Sequence, residues 1–401
     1  MEQTIKDRIL QIGKREMPEG YVKSVVGIVP ADWKHYTFGD IYSERKEPGN
    51  ENLPLLMVSI HSGVSDGKVD EDKLTKRTKQ IEDKSQYKKA VTGDLVLNMM
   101  RAWQGAIGTV RTTGMVSPAY IVAEPDDKIY PPFMDYFTRI PRMINQIDRQ
   151  SYGVTDFRKR LYWASFIIID CILPPIEEQQ KIAAILTTQD KVIELKEKRL
   201  AEKQRQKKYL MQQLLTGKKR LPGFNKTWNT VELGEIFDYI QPTKYLVKTT
   251  DYDNAYKTPV LTAGKTFILG YTSETKDVYT NVPVVIFDDF TTATQYVDFP
   301  FKVKSSALKI LAVKDGFNIF FAYEAMQLIR FAVGGHERHW ISQYSCLTVD
   351  VPEIGEQTAI AQVLSTADRE ISLLRQGIEQ EKQKKKALMQ LLLTGIVRTT
   401  A

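Results

Sequence analysis

A stretch that occurs twice constrains this chain more than any other feature. Residues 174–217 recur at 352–395, a shift of 178 positions without a gap, and 20 of the 44 aligned pairs are identical. Pro174, Ile176, Glu178 and Gln179 fall on Pro352, Ile354, Glu356 and Gln357. Near the other end, Leu210, Met211, Gln212, Leu214, Leu215, Thr216 and Gly217 fall on Leu388, Met389, Gln390, Leu392, Leu393, Thr394 and Gly395. A repeat of this length sets the architecture before any single motif is read.

Both copies read as helix. Ile182, Leu186, Gln189, Ile193, Lys196, Leu200, Lys203, Lys207, Leu210 and Leu214 step by alternating fours and threes. The matching positions are Ile360, Leu364, Ala367, Ile371, Leu374, Ile378, Glu381, Lys385, Leu388 and Leu392. This is coiled-coil spacing. Thr187 before Asp190, and Ser365 before Asp368, resemble capping boxes, which predicts a short helix, a break and then a long helix. Gly217 and Gly395 supply C-terminal stops. The rise per residue gives about 40 Å from Thr188 to Leu215, roughly twelve base pairs of DNA. Seams with Lys203, Lys207, Glu381 and Lys385 at their centres make poor parallel homodimers. The two copies are therefore expected to pair with each other, antiparallel and with approximate two-fold symmetry.

The 401 residues suffice for two or three domains, and an apolar fraction of 42% speaks for folded material. A net charge of +7 favours a polyanionic partner, while 49 acidic residues exclude a simple basic tail. Cys171 and Cys346 lie in apolar runs and read as small core residues in a reducing compartment. The first residues lack an apolar signal core, and the longest apolar run, 166–169, is too short to span a bilayer, so a cytoplasmic location is expected.

Ile5, Ile9, Leu10 and Ile12 give residues 4–12 a short amphipathic helix. A weaker repeat follows: Trp33, Gly39 and Ile41 recur as Trp228, Gly234 and Ile236. Each copy opens a region that closes on a long helix, so the chain divides into two half-units. Strand signatures fall at 55–60, 94–98, 120–123 and 165–169, and again at 259–262, 284–287, 307–313 and 346–351. Residues 131–147 and 318–332 read as helices carried on the sheets. Between the flanks the two regions share little sequence, which suits two readers of different things.

Catalytic signals are scarce. Tyr130-Pro131-Pro132-Phe133 has a tyrosine where an amino-methyltransferase motif needs Asn or Asp, and no Gly-rich turn for a methyl donor accompanies it. Pro125-Asp126 with Lys128 is a polar turn without the rest of a nuclease signature. His336 and His339 have no complementary metal-ligand cluster, and no P-loop occurs. What remains is chemistry suited to DNA. Arg101, Trp103 and Gln104 form one Gly-flanked cluster; Tyr152, Thr155, Arg158, Lys159 and Arg160 form another. The second region offers Lys265, then Thr291, Thr292, Thr294 and Gln295, then His336, Arg338 and His339. Arg suits guanine edges, Gln adenine, and Lys and Thr phosphates. Lys76, Arg77 and Lys79 are a candidate phosphate track, and the basic run 203–208 solvates its helix.

The paired motifs at 173–183 and 210–217, repeated half a chain apart, resemble the helical regions of the DNA-specificity subunit of type I restriction-modification systems. The likeness spans essentially the whole chain; Glu353 and Gly355 depart from the pattern set by Pro175 and Glu177. The resemblance implies an α+β chain in which two target-recognition domains flank an antiparallel two-helix coiled coil with a pseudo-two-fold internal repeat. The corresponding segments are an N-terminal arm (1–20), the first domain (21–172), the first helical region (173–218), the second domain (219–350) and the second helical region (351–401). Each domain would read one half of a bipartite double-stranded DNA site, with the helices as ruler. The helices, carrying Ile182, Leu186, Ile193, Leu200, Leu210 and Leu214 and their counterparts Ile360, Leu364, Ile371, Leu374, Ile378, Leu388 and Leu392, would dock two methyltransferase subunits. Restriction-translocase subunits would join outside. S-adenosylmethionine, ATP and magnesium would belong to those partners, leaving this chain without cofactor, metal or catalytic residue. Two other readings stay open: an enzyme in its own right, or a DNA-binding or scaffold subunit of another methyltransferase or nuclease assembly.

Overall fold

The computed structural model describes residues 2–60, 63–65, 83–155, 158–262, 266–331 and 339–399, the side chains of 2–4 excepted. The longer helices are α1 (Glu2–Gly13), α2 (Pro131–Phe137), α3 (Pro141–Gln150), α4 (Ile176–Leu214), α5 (Ile319–Met326) and α6 (Ile354–Leu392). The chain forms two units, Met1–Leu195 with Ile378–Ala401, and Lys196–Gly377. Each thus takes one part of α4 and one part of α6.

In the first unit a four-stranded antiparallel sheet comprises β1 (Tyr42–Glu44), β2 (Leu95–Asn98), β3 (Ile107–Thr109) and β4 (Tyr120–Pro125), in the order β1-β4-β2-β3. Lys34–Thr37 and Asp170–Leu173 close the region as a two-stranded antiparallel ribbon. In the second unit β5 (Phe237–Ile240), β6 (Val284–Asp288), β7 (Thr294–Val297) and β8 (Leu308–Val313) form an antiparallel sheet in the order β5-β8-β6-β7. Here Asn229–Glu232 and Thr348–Val351 make the closing ribbon. In both sheets the fourth strand lies between the first and second. The duplication therefore extends to the sheets, where almost no sequence is shared.

Several expectations are corrected. Residues 131–147 form two helices, because Pro141 cannot donate the amide that would carry α2 onward and instead starts α3 at its first position. Residues 165–169 are not a strand: Trp163–Phe166 is a helical turn and the strand begins at Asp170. Helix α5 stops at Met326. Cys171 is buried but Cys346 is exposed. The break expected near Thr187 and Ser365 is absent, since α4 and α6 each run unbroken for 39 residues. The preceding turn already supplies acceptors: Thr188 Oγ1 donates to Ala184 O at 2.8 Å and Thr366 Oγ1 to Gln362 O at 2.7 Å. Among the described residues no helix is long and apolar enough to cross a membrane.

Each unit has a core into which both long helices reach. Ile182, Leu186, Leu392 and Leu393 join the first, around Phe38, Phe133, Phe137 and Phe166. Leu214, Leu215, Ile360 and Leu364 join the second, around Phe237, Phe287, Phe321 and Trp340. Burial of these aliphatic and aromatic groups, each contributing on the order of 2 kcal/mol, ties the helices to the sheets.

Candidate nucleic-acid interface

In the first unit two loops meet. Ala102–Gln104 is a single 3-10 turn ended by Gly105, whose φ of 99° is left-handed. It leaves Arg101 and Gln104 exposed and Trp103 half-buried, with Trp103 Nε1 donating to Met100 O at 3.1 Å. The second loop begins after α3 and folds back on itself: Tyr152 N donates to Arg160 O at 3.1 Å, and Arg160 N returns the bond to Tyr152 O at 3.0 Å. A Cβ at Gly153 would lie 2.3 Å from Arg158 O, so only glycine permits this closure. Leu161 N then donates to Met99 O at 2.9 Å, fixing the loop beside the first turn. Lys159 Nζ bonds Asp148 Oδ1 at 2.9 Å and stands 5.4 Å from the centre of the Trp103 ring. Thr155 and Arg158 are exposed, and so is Tyr152, whose ring packs 5.2 Å from Tyr162. The surface presents guanidinium forks, an amide and flat aromatic faces, which suit phosphates and base edges.

In the second unit the turn between β6 and β7 is built on buried Asp288. Its carboxylate accepts from Phe290 N at 3.1 Å and Thr291 Oγ1 at 2.5 Å, while its carbonyl accepts from Thr292 N at 2.8 Å. Thr292 adopts φ 56°. Thr291 and Gln295 are exposed, whereas Thr294 Oγ1 accepts from Gln327 Nε2 at 2.7 Å. Tyr296, on the same strand, packs 5.2 Å from Phe320 and 5.9 Å from Tyr323, and burial raises its hydroxyl pKa.

His339 is corrected: it is 1% exposed and packs against the Phe331 ring at 5.5 Å. Its amide donates to Asp289 O at 3.1 Å, and Trp340 N donates to buried Asp289 Oδ1 at 2.9 Å, which draws this turn into the core. Lys76, Arg77, Lys79, Lys265, His336 and Arg338 lie outside the described residues. Sequence reasoning missed Asp148, Tyr162, Phe290 and Gln327. Tyr162 alone left a trace, as the aromatic that mirrors Tyr152 across the loop.

The apolar seam of the long helices is also corrected as a docking surface. Ile182, Leu186, Ile193, Leu214, Ile360, Leu364, Ile371, Ile378 and Leu392 are buried, and Leu200, Leu210, Leu374 and Leu388 are half-buried. Outward-facing apolar groups on these helices include Ile185, Leu195, Tyr209 and Leu373. Polar seam positions find partners within each unit. In the first, Gln189 Nε2 donates to Glu381 Oε2 at 2.7 Å, and Lys385 Nζ bonds Asp190 Oδ1 at 2.6 Å while facing the Tyr136 ring. In the second, Lys203 bonds Glu370 at 2.7 Å, and Lys207 bonds Asp368 at 2.7 Å and Glu324 at 2.8 Å. Lys207 and Asp368 stand 178 positions from Lys385 and Asp190. Burial, with Glu324 and Asp368 nearby, pushes the Tyr323 hydroxyl up to about 12.

The helix entrances repeat just as closely. Gln179 Oε1 accepts from Tyr130 N at 2.9 Å and its amide donates to Lys128 O and Pro174 O, both at 3.0 Å. Gln357 Oε1 accepts from Asn318 N at 2.8 Å and its amide donates to Gly316 O at 3.3 Å and Pro352 O at 2.9 Å. A four-stranded sheet and the helix entrance beside it are thus built twice, with unlike loops between them. The chain belongs to the family of the type I restriction modification DNA specificity domain, whose model matches residues 68–204 and 225–382. It is 51% identical over 140 residues to the type I restriction enzyme EcoR124I/EcoR124II specificity subunit of Escherichia coli, covering 33% of this chain and 34% of that one. The putative type I restriction enzyme MjaX specificity subunit of Methanocaldococcus jannaschii is 24% identical over 95% of this chain and 97% of its own. Among solved structures, the S subunit of a type I restriction-modification system from M. genitalium has a TM-score of 0.60 at 12% identity, covering 90% of this chain and 96% of that one. Another, from work on complex assembly and conformational transition of the type I R-M system, has a TM-score of 0.52 at 17% identity, over 92% and 99% of the two chains.

Proposed function

We propose that this chain is the DNA-reading component of a type I restriction-modification complex, and that its two unlike domains each read one half of an interrupted, asymmetric site. The observation that carries this is the contrast within the duplication: helix entrances and sheet order are repeated, while the exposed turns differ in residue type. Arg101, Gln104, Tyr152, Thr155, Arg158 and Arg160 serve the first half-site, and Thr291, Thr292 and Gln295 the second.

Lys385 with Asp190, and Lys207 with Asp368, support an antiparallel two-helix coiled coil with a pseudo-two-fold repeat, which acts as the ruler between half-sites. Methyltransferase subunits dock on its outer face, and a restriction subunit joins through them. Adenine methylation and ATP-dependent cleavage belong to those partners, which hold S-adenosylmethionine, ATP and magnesium. This chain supplies position and specificity in the cytoplasm.

The test is an exchange of residues 33–173 for the equivalent domain of another member of the family, followed by sequencing of methylated DNA. One half-site changes if the domains read independently; a change in both halves contradicts the proposal.

A further inference from the structure

We infer that Lys159 is a positioning residue for the first half-site: held by Asp148 and capping the Trp103 ring, it locks the two reading loops together instead of contacting phosphate. The inference rests on the proposed role of this surface in reading DNA.

A surface lysine in a DNA-reading loop is ordinarily assigned to the backbone, where a mobile ammonium finds phosphates. Lys159 is not such a group. Its side chain is 25% exposed, it bonds Asp148 Oδ1 at 2.9 Å, and its Nζ stands 5.4 Å from the centre of the Trp103 ring. Asp148 lies in the last turn of α3, Trp103 in the turn after β2, and Lys159 in the loop that follows α3. One ammonium thus links three segments. The backbone adds a second tie between the same loops, Leu161 N to Met99 O at 2.9 Å. Neighbouring Arg158 and Arg160 are exposed and remain suited to direct contact.

Electrostatics separates this role from a phosphate contact by sign. Asp148 is an anion on a surface that meets a polyanion, so on charge alone Asp148→Asn tightens DNA binding. If Asp148 holds Lys159 in place, the same substitution weakens it. The salt dependence separates the two further, because each phosphate contact adds about 0.9 to the slope of log K against log salt.

The experiment uses the full complex of this chain with its methyltransferase partner. The probes are a short duplex carrying the motif found by methylation sequencing, and the same duplex with one base changed in the first half-site. The expected result is that Asp148→Asn and Lys159→Met each weaken binding roughly three- to tenfold, consistent with the loss of one ion pair and one cation–π contact. Both variants narrow discrimination against the changed base, both keep the wild-type salt slope, and their effects do not add. Lys159→Arg, which keeps both contacts, restores discrimination and keeps the test open if Asp148→Asn is poorly folded. A salt slope lowered by about one contact in Lys159→Met, with binding unchanged or tighter in Asp148→Asn, overturns the inference. Absence of motif-specific binding by the wild-type complex overturns the proposed function as well, and is recognised before any variant is measured.

Discussion

Trp33 Nε1 donates to Glu178 Oε2 at 3.2 Å, and in the other unit Trp228 Nε1 donates to Glu356 Oε2 at the same distance. Each carboxylate is buried and receives a guanidinium: Arg398 bonds Glu178 at 2.9 and 2.8 Å, and Arg220 bonds Glu356 at 2.6 Å to both oxygens. Arg398 also holds Asp32, and Gly395 passes so close to Pro30 that a Cβ there would meet its ring at 2.5 Å. The start of one long helix, the end of the other and the entry to the recognition domain are thereby bound at one point in each unit.

Removing the arginine leaves a buried carboxylate without its guanidinium: Glu356 keeps the Trp228 indole, and Glu178 keeps the Trp33 indole and the Thr399 amide at 3.3 Å. Arg398→Met is expected to destabilise the first unit by about 3 kcal/mol, the usual cost of breaking a buried pair from one side, and Arg220→Met is expected to destabilise the second unit in the same direction. Denaturant unfolding monitored by tryptophan fluorescence checks this, and a loss below roughly 0.5 kcal/mol, typical of an exposed pair, would contradict it.

Lys207 answers two acids, Glu324 and Asp368, and Glu324 is 1% exposed in its side chain. Burial raises the Glu324 pKa, and the Lys207 ammonium opposes that rise. Lys207→Met is therefore expected to cost about 3 kcal/mol, and adding Glu324→Gln should recover a large part, because the uncompensated charge is then gone. Additive losses in the double-mutant cycle would show that the two residues do not act as a pair.

Glu274 gives the second unit an acid sensitivity. Burial pushes its pKa up, but the amides of Thr249 and Lys248 and the Lys302 ammonium outweigh that and hold it at about 2. A depressed carboxylate contributes stability above its unfolded pKa, ordinarily about 4.3, and loses that contribution as pH falls towards the folded value. Unfolding of the second unit should therefore become easier between about pH 4.5 and 2, and Glu274→Gln should flatten this dependence. An unchanged profile in the variant would assign the acid sensitivity elsewhere.

Arg101 is exposed on the turn after β2, with Gln104 beside it. Arg101→Ala is expected to cost about 1–3 kcal/mol of binding if the guanidinium pairs with a base edge, and to relax specificity at one position of the first half-site. Binding to single-base variants measures this; a uniform loss across all variants would make Arg101 a phosphate contact.

The two-unit plan, the helices and the apolar seam were legible because repetition and period are properties of the sequence itself. The matching strand order was not, since β-strand pairing depends on long-range contacts that residues with little sequence in common can satisfy equally well. The capping-like Thr187 and Asp190 misled for a related reason: Asp190 is consumed by Lys385 and the Tyr136 hydroxyl. His339 looked polar and loop-like, yet the Asp289 carbonyl and carboxylate hold the amides of His339 and Trp340 and both side chains are buried. On the candidate surface of the first unit the exposed loop positions follow from the polar residues of the sequence, while the Asp148–Lys159–Trp103 link needed three separated segments to be placed in space.

The central claim is that one chain reads two half-sites for a methyltransferase, and sequencing of methylated DNA tests it most directly. Cells expressing this chain with its methyltransferase subunit are compared with cells lacking this chain. The expected result is adenine methylation at one interrupted, asymmetric motif that appears only when the chain is present. A stable complex of the two subunits that produces no new methylated motif would contradict the claim.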